Sequence, residues 1–165
     1  MRILKSIDKA LTKAEEAVLI ALLSIMVVMA FLQVVLRNLF SSGIFWADIL
    51  LRHLLLWLGF LGAAIATSEN RHINIDALTR FSPPKLRSLL AVITDVFAVL
   101  ICYFLFRASE TFLRNELADK TVVYGEIPAW YSEIIIPTGF ALLIFHFFIR
   151  AILSVQAALN KGGKE

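Results

Sequence analysis

The sequence predicts an all-α integral membrane protein with four transmembrane helices. Both termini are expected in the cytoplasm, with a short amphipathic helix at the membrane surface before the first span. Three observations predict this. The mean hydropathy is +0.80 and 59% of the 165 residues are hydrophobic, above the roughly 45–50% usual for soluble domains. Four apolar stretches are each long enough for a ~30 Å hydrocarbon core, which needs about 20 helical residues. The basic residues fall mainly on alternate connections. Arg2, Lys5, Lys9, Lys13, Arg71, Arg80, Lys85, Arg87, Arg150, Lys161 and Lys164 lie on one side, and only Arg37, Arg107, Arg114 and Lys120 on the other. The positive-inside rule then places the first group in the cytoplasm. The same asymmetry accounts for the net charge of +3, so no nucleic-acid partner is implied.

The elements follow in order. Residues 1–16 carry Ile3, Leu4, Ile7, Leu11 and Ala14 on one helical face and Lys5, Lys9 and Lys13 on another, as expected of a helix lying among headgroups. Span one is expected over 17–37, retained rather than cleaved, because its apolar run exceeds the roughly 7–15 residues of a signal-peptide core. It contains only Ser24 and Gln33 as polar residues before Arg37. Span two covers 46–67. The polar connection that follows ends in Ser82-Pro83-Pro84, a helix-start signal. Span three covers 86–106, with a helical pattern extending to 117, longer than the membrane requires. Residues 118–128 form a loop with a β-prone centre around Tyr124. Span four covers 129–153, with Pro137 as a kink, and 154–165 form a cytoplasmic tail. Trp46, Trp130 and Tyr131 suit an aromatic belt at the outer surface.

Span two is unusual. Asp48, Arg52, Leu55, Gly59, Gly62 and Ala66 fall near one line of a helix. Asp48 and Arg52 have the spacing of an intrahelical ion pair. Gly59/Ala63 and Gly62/Ala66 are small-x-x-x-small pairs that admit another backbone. The face therefore reads as a docking surface, either within the chain's own bundle or for a separate subunit.

Ionisable groups inside spans cost about 2.5–3.5 kcal/mol each on insertion scales, so they face protein or water. Arg37, Asp48, Arg52, Arg107 and Glu133 sit near outer helix ends and are expected to form one network. Asp95 and His146 each lie about seven residues from an inner end, which predicts a contact between them. His72 and Asp76 are expected to pin the inner loop by hydrogen bonds.

Catalytic and cofactor signals are missing from the sequence. No nucleophile–base set, phosphate loop or metal-ligand spacing occurs, and the lone Cys102 supports neither disulfide nor zinc. His53, His72 and His146 do not match in depth as haem ligands. The expectation is a protein that is not an enzyme and holds no cofactor or metal. No second interrupted span matches the one with Pro137, as a midplane transport site would require.

Several segments together resemble a known family. They are Trp46-Ala47-Asp48-Ile49-Leu50-Leu51-Arg52, Trp57-Leu58-Gly59-Phe60-Leu61-Gly62-Ala63-Ala64, Arg71-His72-Ile73-Asn74-Ile75-Asp76, Ile127-Pro128-Ala129-Trp130 and Ile136-Pro137-Thr138-Gly139-Phe140. They are similar to the small membrane subunit, the DctQ-like Q subunit, of tripartite ATP-independent periplasmic (TRAP) transporters. Asp48 departs from the pattern, where glutamate is commoner. The resemblance implies an accessory subunit in the bacterial inner membrane, without a substrate site of its own. It would scaffold a large multi-span subunit and help a periplasmic binding protein dock, for sodium-driven uptake of an organic anion such as a C4-dicarboxylate or sialic acid. On this reading Gly59, Gly62, Ala63 and Ala66, or the face of span one carrying Gln33, meet the large subunit. Arg114, Lys120 and Tyr124 are candidate contacts for the binding protein. The alternative is a membrane anchor for an electron-transfer complex, which a Soret band would reveal.

Overall fold

A computed structural model describes residues 2–69, 84–124 and 127–162. Its elements are α1 (Arg2–Phe40), α2 (Ala47–Ser68), α3 (Pro84–Asp119), strands β1 (Val122–Tyr124) and β2 (Ile127–Pro128), the single turn α4 (Trp130–Glu133) and α5 (Ile135–Gly162). Four stretches are long and apolar enough to cross a membrane: Ser6–Phe40, Ala47–Ser68, Val92–Asp119 and Trp130–Val155. The protein is an all-α, four-span membrane protein, with one small β-ribbon among the described residues.

Helix α1 packs along α2, α3 packs along α5, and α2 joins the two pairs by lying against α5. Residues 2–16 differ from expectation. They form no separate surface helix but continue into the first span without a break. The local reason is composition: no glycine or proline interrupts residues 2–40, and alanine, leucine, lysine and glutamate dominate the junction. The 39-residue helix is therefore roughly 58 Å long at ~1.5 Å per residue. Thr12 fixes its inner part to α2, its hydroxyl lying 2.6 Å from that of Ser68.

Helix α1 ends where Ser41 takes a positive φ of 48°. Gln33 then shapes the turn into α2. Its Oε1 accepts the Ile44 N–H at 3.0 Å, while its Nε2 donates to the Ile44 carbonyl at 3.1 Å and to Asp48 Oδ1 at 3.4 Å.

Beyond α3, the Ala129 N–H donates to the Thr121 carbonyl at 2.8 Å, closing a two-stranded antiparallel ribbon in which Val122 faces Pro128. Pro137 does not kink a continuous helix. The helix is interrupted at Ile134, and Pro137 falls in the first turn of α5, where its missing N–H leaves no bond unmade.

The contact between α2 and α5 depends on Gly139. A Cβ there would lie 2.6 Å from Phe60 Cγ and 2.8 Å from Phe60 Cβ, so a glycine is needed for the approach. The Phe60 ring meets Phe140 edge-on, centroids 5.2 Å apart. Slightly higher, Trp57 Nε1 donates to the Ser132 carbonyl at 2.9 Å. Thus α4 is bonded to α2 at Trp57, ten residues into that helix. Span four starts about one to two turns deeper than span two, since Ser132 and Gly139 lie two and nine residues into it. The aromatic residues assigned to one outer belt are offset accordingly. The exception is the local stack of Trp130 on Tyr131, with centroids 3.9 Å apart.

Candidate docking face and buried polar clusters

The α2 face splits into two. Gly62 is turned inward: a Cβ there would sit 3.8 Å from Leu19 Cδ1 of α1, and its neighbour Ala64 is fully buried. Ala66 is half-buried. Gly59 faces open space, with no heavy atom within 4 Å of a Cβ position. One turn away Leu55 is 63% exposed. Arg52, Leu55, Gly59, Phe60, Ala63 and Leu143 are among the residues that line a groove of about 480 Å³ between α2 and α5. Gln33 is buried and spent on the turn after α1, so it offers no polar group to another subunit. A second cavity, of about 600 Å³, lies beside the outer half of α2, between Trp46, His53, Trp57 and Tyr131.

The expected outer network of Arg37, Asp48, Arg52, Arg107 and Glu133 does not assemble. Asp48 bonds to Gln33 rather than Arg52, and Arg37 and Arg52 are exposed. Arg107 pairs at 3.0 Å with Glu110, which also holds Arg114. These three are successive turns of α3 and satisfy one another. Glu133 lies near Glu116, not near the arginines. Each of the two carboxylates has one oxygen buried without a hydrogen bond.

The predicted Asp95–His146 contact is also absent. Asp95, 1% exposed, accepts a bond from Arg150 Nε at 2.8 Å and one from the Ser154 hydroxyl at 3.3 Å. His146 is held instead by α1: its Nδ1 lies 2.8 Å from Asp8 Oδ1 and its Nε2 3.1 Å from Glu15 Oε1. Counting depth from helix ends misled the sequence reading in two ways. Helices α3 and α5 meet in a register that sets Asp95 level with Arg150 and Ser154, about one to two turns further along α5 than His146. Residues 1–16 were placed on the membrane surface, which removed Asp8 and Glu15 from consideration. One signal was available: Asp8, Thr12 and Glu15 share one face of a helix at spacings of four and three. Neutral imidazole donates from only one nitrogen. With both carboxylates ionised, the geometry at His146 is that of an imidazolium donating to each. Neither ring nitrogen is left to ligate a haem iron.

Of the remaining candidates, Arg114 is exposed at the outer end of α3. Lys120 is exposed in the turn after it, with φ 51°. Tyr124 ends β1. His72 and Asp76 lie outside the described residues.

Among the described residues, these features are those of a helical membrane bundle whose buried polar groups are largely bonded internally and whose α2 carries one open face. Comparison with known proteins gives its family. Residues 26–157 match the family model for the DctQ component of tripartite ATP-independent periplasmic transporters. A TRAP transporter small permease protein of Haemophilus influenzae is 36% identical over 153 residues, covering 91% of this chain and 89% of that protein. The C4-dicarboxylate TRAP transporter small permease protein DctQ of Pseudomonas aeruginosa is 24% identical, covering 90% of this chain and 87% of that protein. The sialic acid TRAP transporter permease protein SiaT of Haemophilus influenzae is 27% identical over 115 residues, covering 70% of this chain but 18% of that larger protein. By family match and by fold, the chain belongs to the DctQ component family of tripartite ATP-independent periplasmic transporters and is a small, multi-pass membrane subunit of that type.

Proposed function

We propose that this subunit scaffolds a large membrane subunit in the bacterial inner membrane and helps a periplasmic binding protein dock, supporting sodium-driven uptake of an organic anion. The observation that carries the reading is the open lane on α2. Gly59 has nothing within 4 Å, Ala63 follows it one turn on in the same groove, and Arg52 stands exposed at the outer end. Small residues gain little from contact with lipid, but they let a second helix come close. The substrate class, a C4-dicarboxylate or a sialic acid, rests on the names of the relatives. On the outer surface, Arg114, Lys120 and Tyr124 remain the candidate contacts for the binding protein. Arg114 and Lys120 are solvent-facing cations suited to steering an acidic partner.

The test is reconstitution of the large subunit in proteoliposomes with and without this chain, with the binding protein outside and a sodium gradient imposed. Uptake is expected only with both membrane subunits. Full uptake by the large subunit alone would overturn the reading. Replacing Arg114 or Lys120 with glutamate is expected to lower uptake at limiting binding protein without dissociating the membrane complex. Unchanged uptake kinetics would remove that surface from the docking site.

A further inference from the structure

We propose that Arg52 is the electrostatic anchor of the subunit contact, receiving a carboxylate from a transmembrane helix of the large subunit that lies in the groove over Gly59. This rests on the scaffold reading above and names the chemistry of the partner. Four other basic side chains of the bundle already have their acids. Arg150 holds Asp95, His146 holds Asp8 and Glu15, and Arg107 and Arg114 share Glu110. Arg37 is three residues from the end of α1 and reaches the headgroups. Arg52 differs from all of these. It is five residues into α2, about 7.5 Å below Ala47 at 1.5 Å per residue. No carboxylate among the described residues pairs with it. The acid one turn before it, Asp48, faces Gln33 instead.

The groove extends from this unpaired guanidinium. It runs along α2 from Arg52 to Ala63, with Gly59 between and Leu143 of α5 as the far wall. Those eleven residues span about 16 Å, roughly three helical turns, the length of contact one crossing helix makes. A lipid phosphate would satisfy the charge but has no use for a backbone-deep lane below it. A helix bearing an aspartate or glutamate uses both. The planar guanidinium fork binds a carboxylate through two parallel N–H···O bonds, which fixes register as well as charge.

The experiment co-expresses this chain with a tagged large subunit and measures co-purification in detergent. Arg52→Glu is expected to lower recovery of the complex at least tenfold and Arg52→Gln several-fold, with Arg52→Lys, which keeps the charge but not the two-pronged geometry, falling between Arg52→Gln and the wild type. Each variant's monodispersity and melting are checked alone, so that loss of the complex is separated from loss of the fold. Reversing intramembrane acids of the large subunit one at a time to lysine is expected to restore recovery with Arg52→Glu at a single position. Wild-type recovery with both Arg52→Glu and Arg52→Gln would overturn the proposal in favour of a guanidinium reaching lipid phosphate. Failure of every acid reversal to restore the complex would overturn it too. Failure of the wild-type chain to co-purify would instead reject the underlying scaffold reading.

Discussion

Replacing His146 with leucine tests the clamp that ties α1 to the rest of the bundle. The imidazole side chain is fully buried, Glu15 is 4% exposed and Asp8 20% exposed. The substitution keeps roughly the same bulk but removes both donors at 2.8 and 3.1 Å. Hydrogen bonds to charged groups contribute about 1.5–3 kcal/mol each. Removing one member of a buried ionic group costs about 3–5 kcal/mol, because the remaining charge is stranded. Glu15, almost sealed from solvent, dominates that penalty; Asp8 can recover part of its hydration. The expected loss is therefore about 3–5 kcal/mol, a large fraction of the 5–15 kcal/mol typical of a folded domain. Reversible unfolding in mixed detergent micelles, followed by far-ultraviolet circular dichroism, measures it. The triple variant His146→Leu, Glu15→Gln, Asp8→Asn removes the stranded charges and is expected to recover at least half of the loss. A cost below about 1 kcal/mol for His146→Leu, or no recovery in the triple variant, would refute the argument that a charged, fully bonded imidazole holds the first helix in place.

The other predictions concern helix contacts. Gly139→Ala drives a Cβ into the Phe60 side chain and is expected to cost about 1–3 kcal/mol by overpacking. Gly59→Ala meets open space and is expected to leave the isolated subunit unchanged or up to about 1 kcal/mol more stable through helix propensity. Equal effects in unfolding measurements would contradict the assignment of one glycine to a contact and the other to a free face. A double-mutant cycle on Asp95 and Arg150 is expected to give a coupling of about 1.5–3 kcal/mol for their charge-assisted bond, with a smaller coupling for Asp95 and His146. The reverse order would reinstate the partner expected from sequence. Trp57→Phe keeps the bulk but removes the bond to the Ser132 carbonyl, at an expected cost of about 0.5–1.5 kcal/mol. No loss in thermal melting would show that α4 is held by packing alone.

The architecture was legible because hydrophobic length and the placement of lysine and arginine are one-dimensional signals. Each of the four spans shows as an apolar run without any knowledge of its neighbours. The polar contacts were not legible for the converse reason. Asp95 and His146 look matched when depth is counted from span ends, but α3 and α5 meet in a register that sets Asp95 beside Arg150 and Ser154, and the partner of His146 depends on how far one helical pair slides past the other. That slide is set by Gly139 admitting Phe60 and by Trp57 reaching Ser132, contacts between residues 75 or more apart in sequence. The α2 face was half legible. Small residues marked it, but periodicity could not say that Gly62 would turn toward Leu19 while Gly59 stayed open. Gln33 shows the limit most plainly. A polar residue in an apolar span suggests an external partner, yet its amide is consumed by the turn eleven residues later.

The offset between the two helical pairs affects the surrounding lipid. If α1 and α2 stand upright, the apolar girth of α3 and α5 sits lower by about 6–12 Å, a fifth to two fifths of the thickness of a hydrocarbon core. A flat leaflet cannot wet both halves, so the subunit either leans or puckers the bilayer around it, at a cost that grows with each ångström of mismatch. A larger neighbour able to fill the step would relieve that deformation. Part of the drive toward assembly then comes from the membrane recovering its shape, independently of any contact between the two proteins.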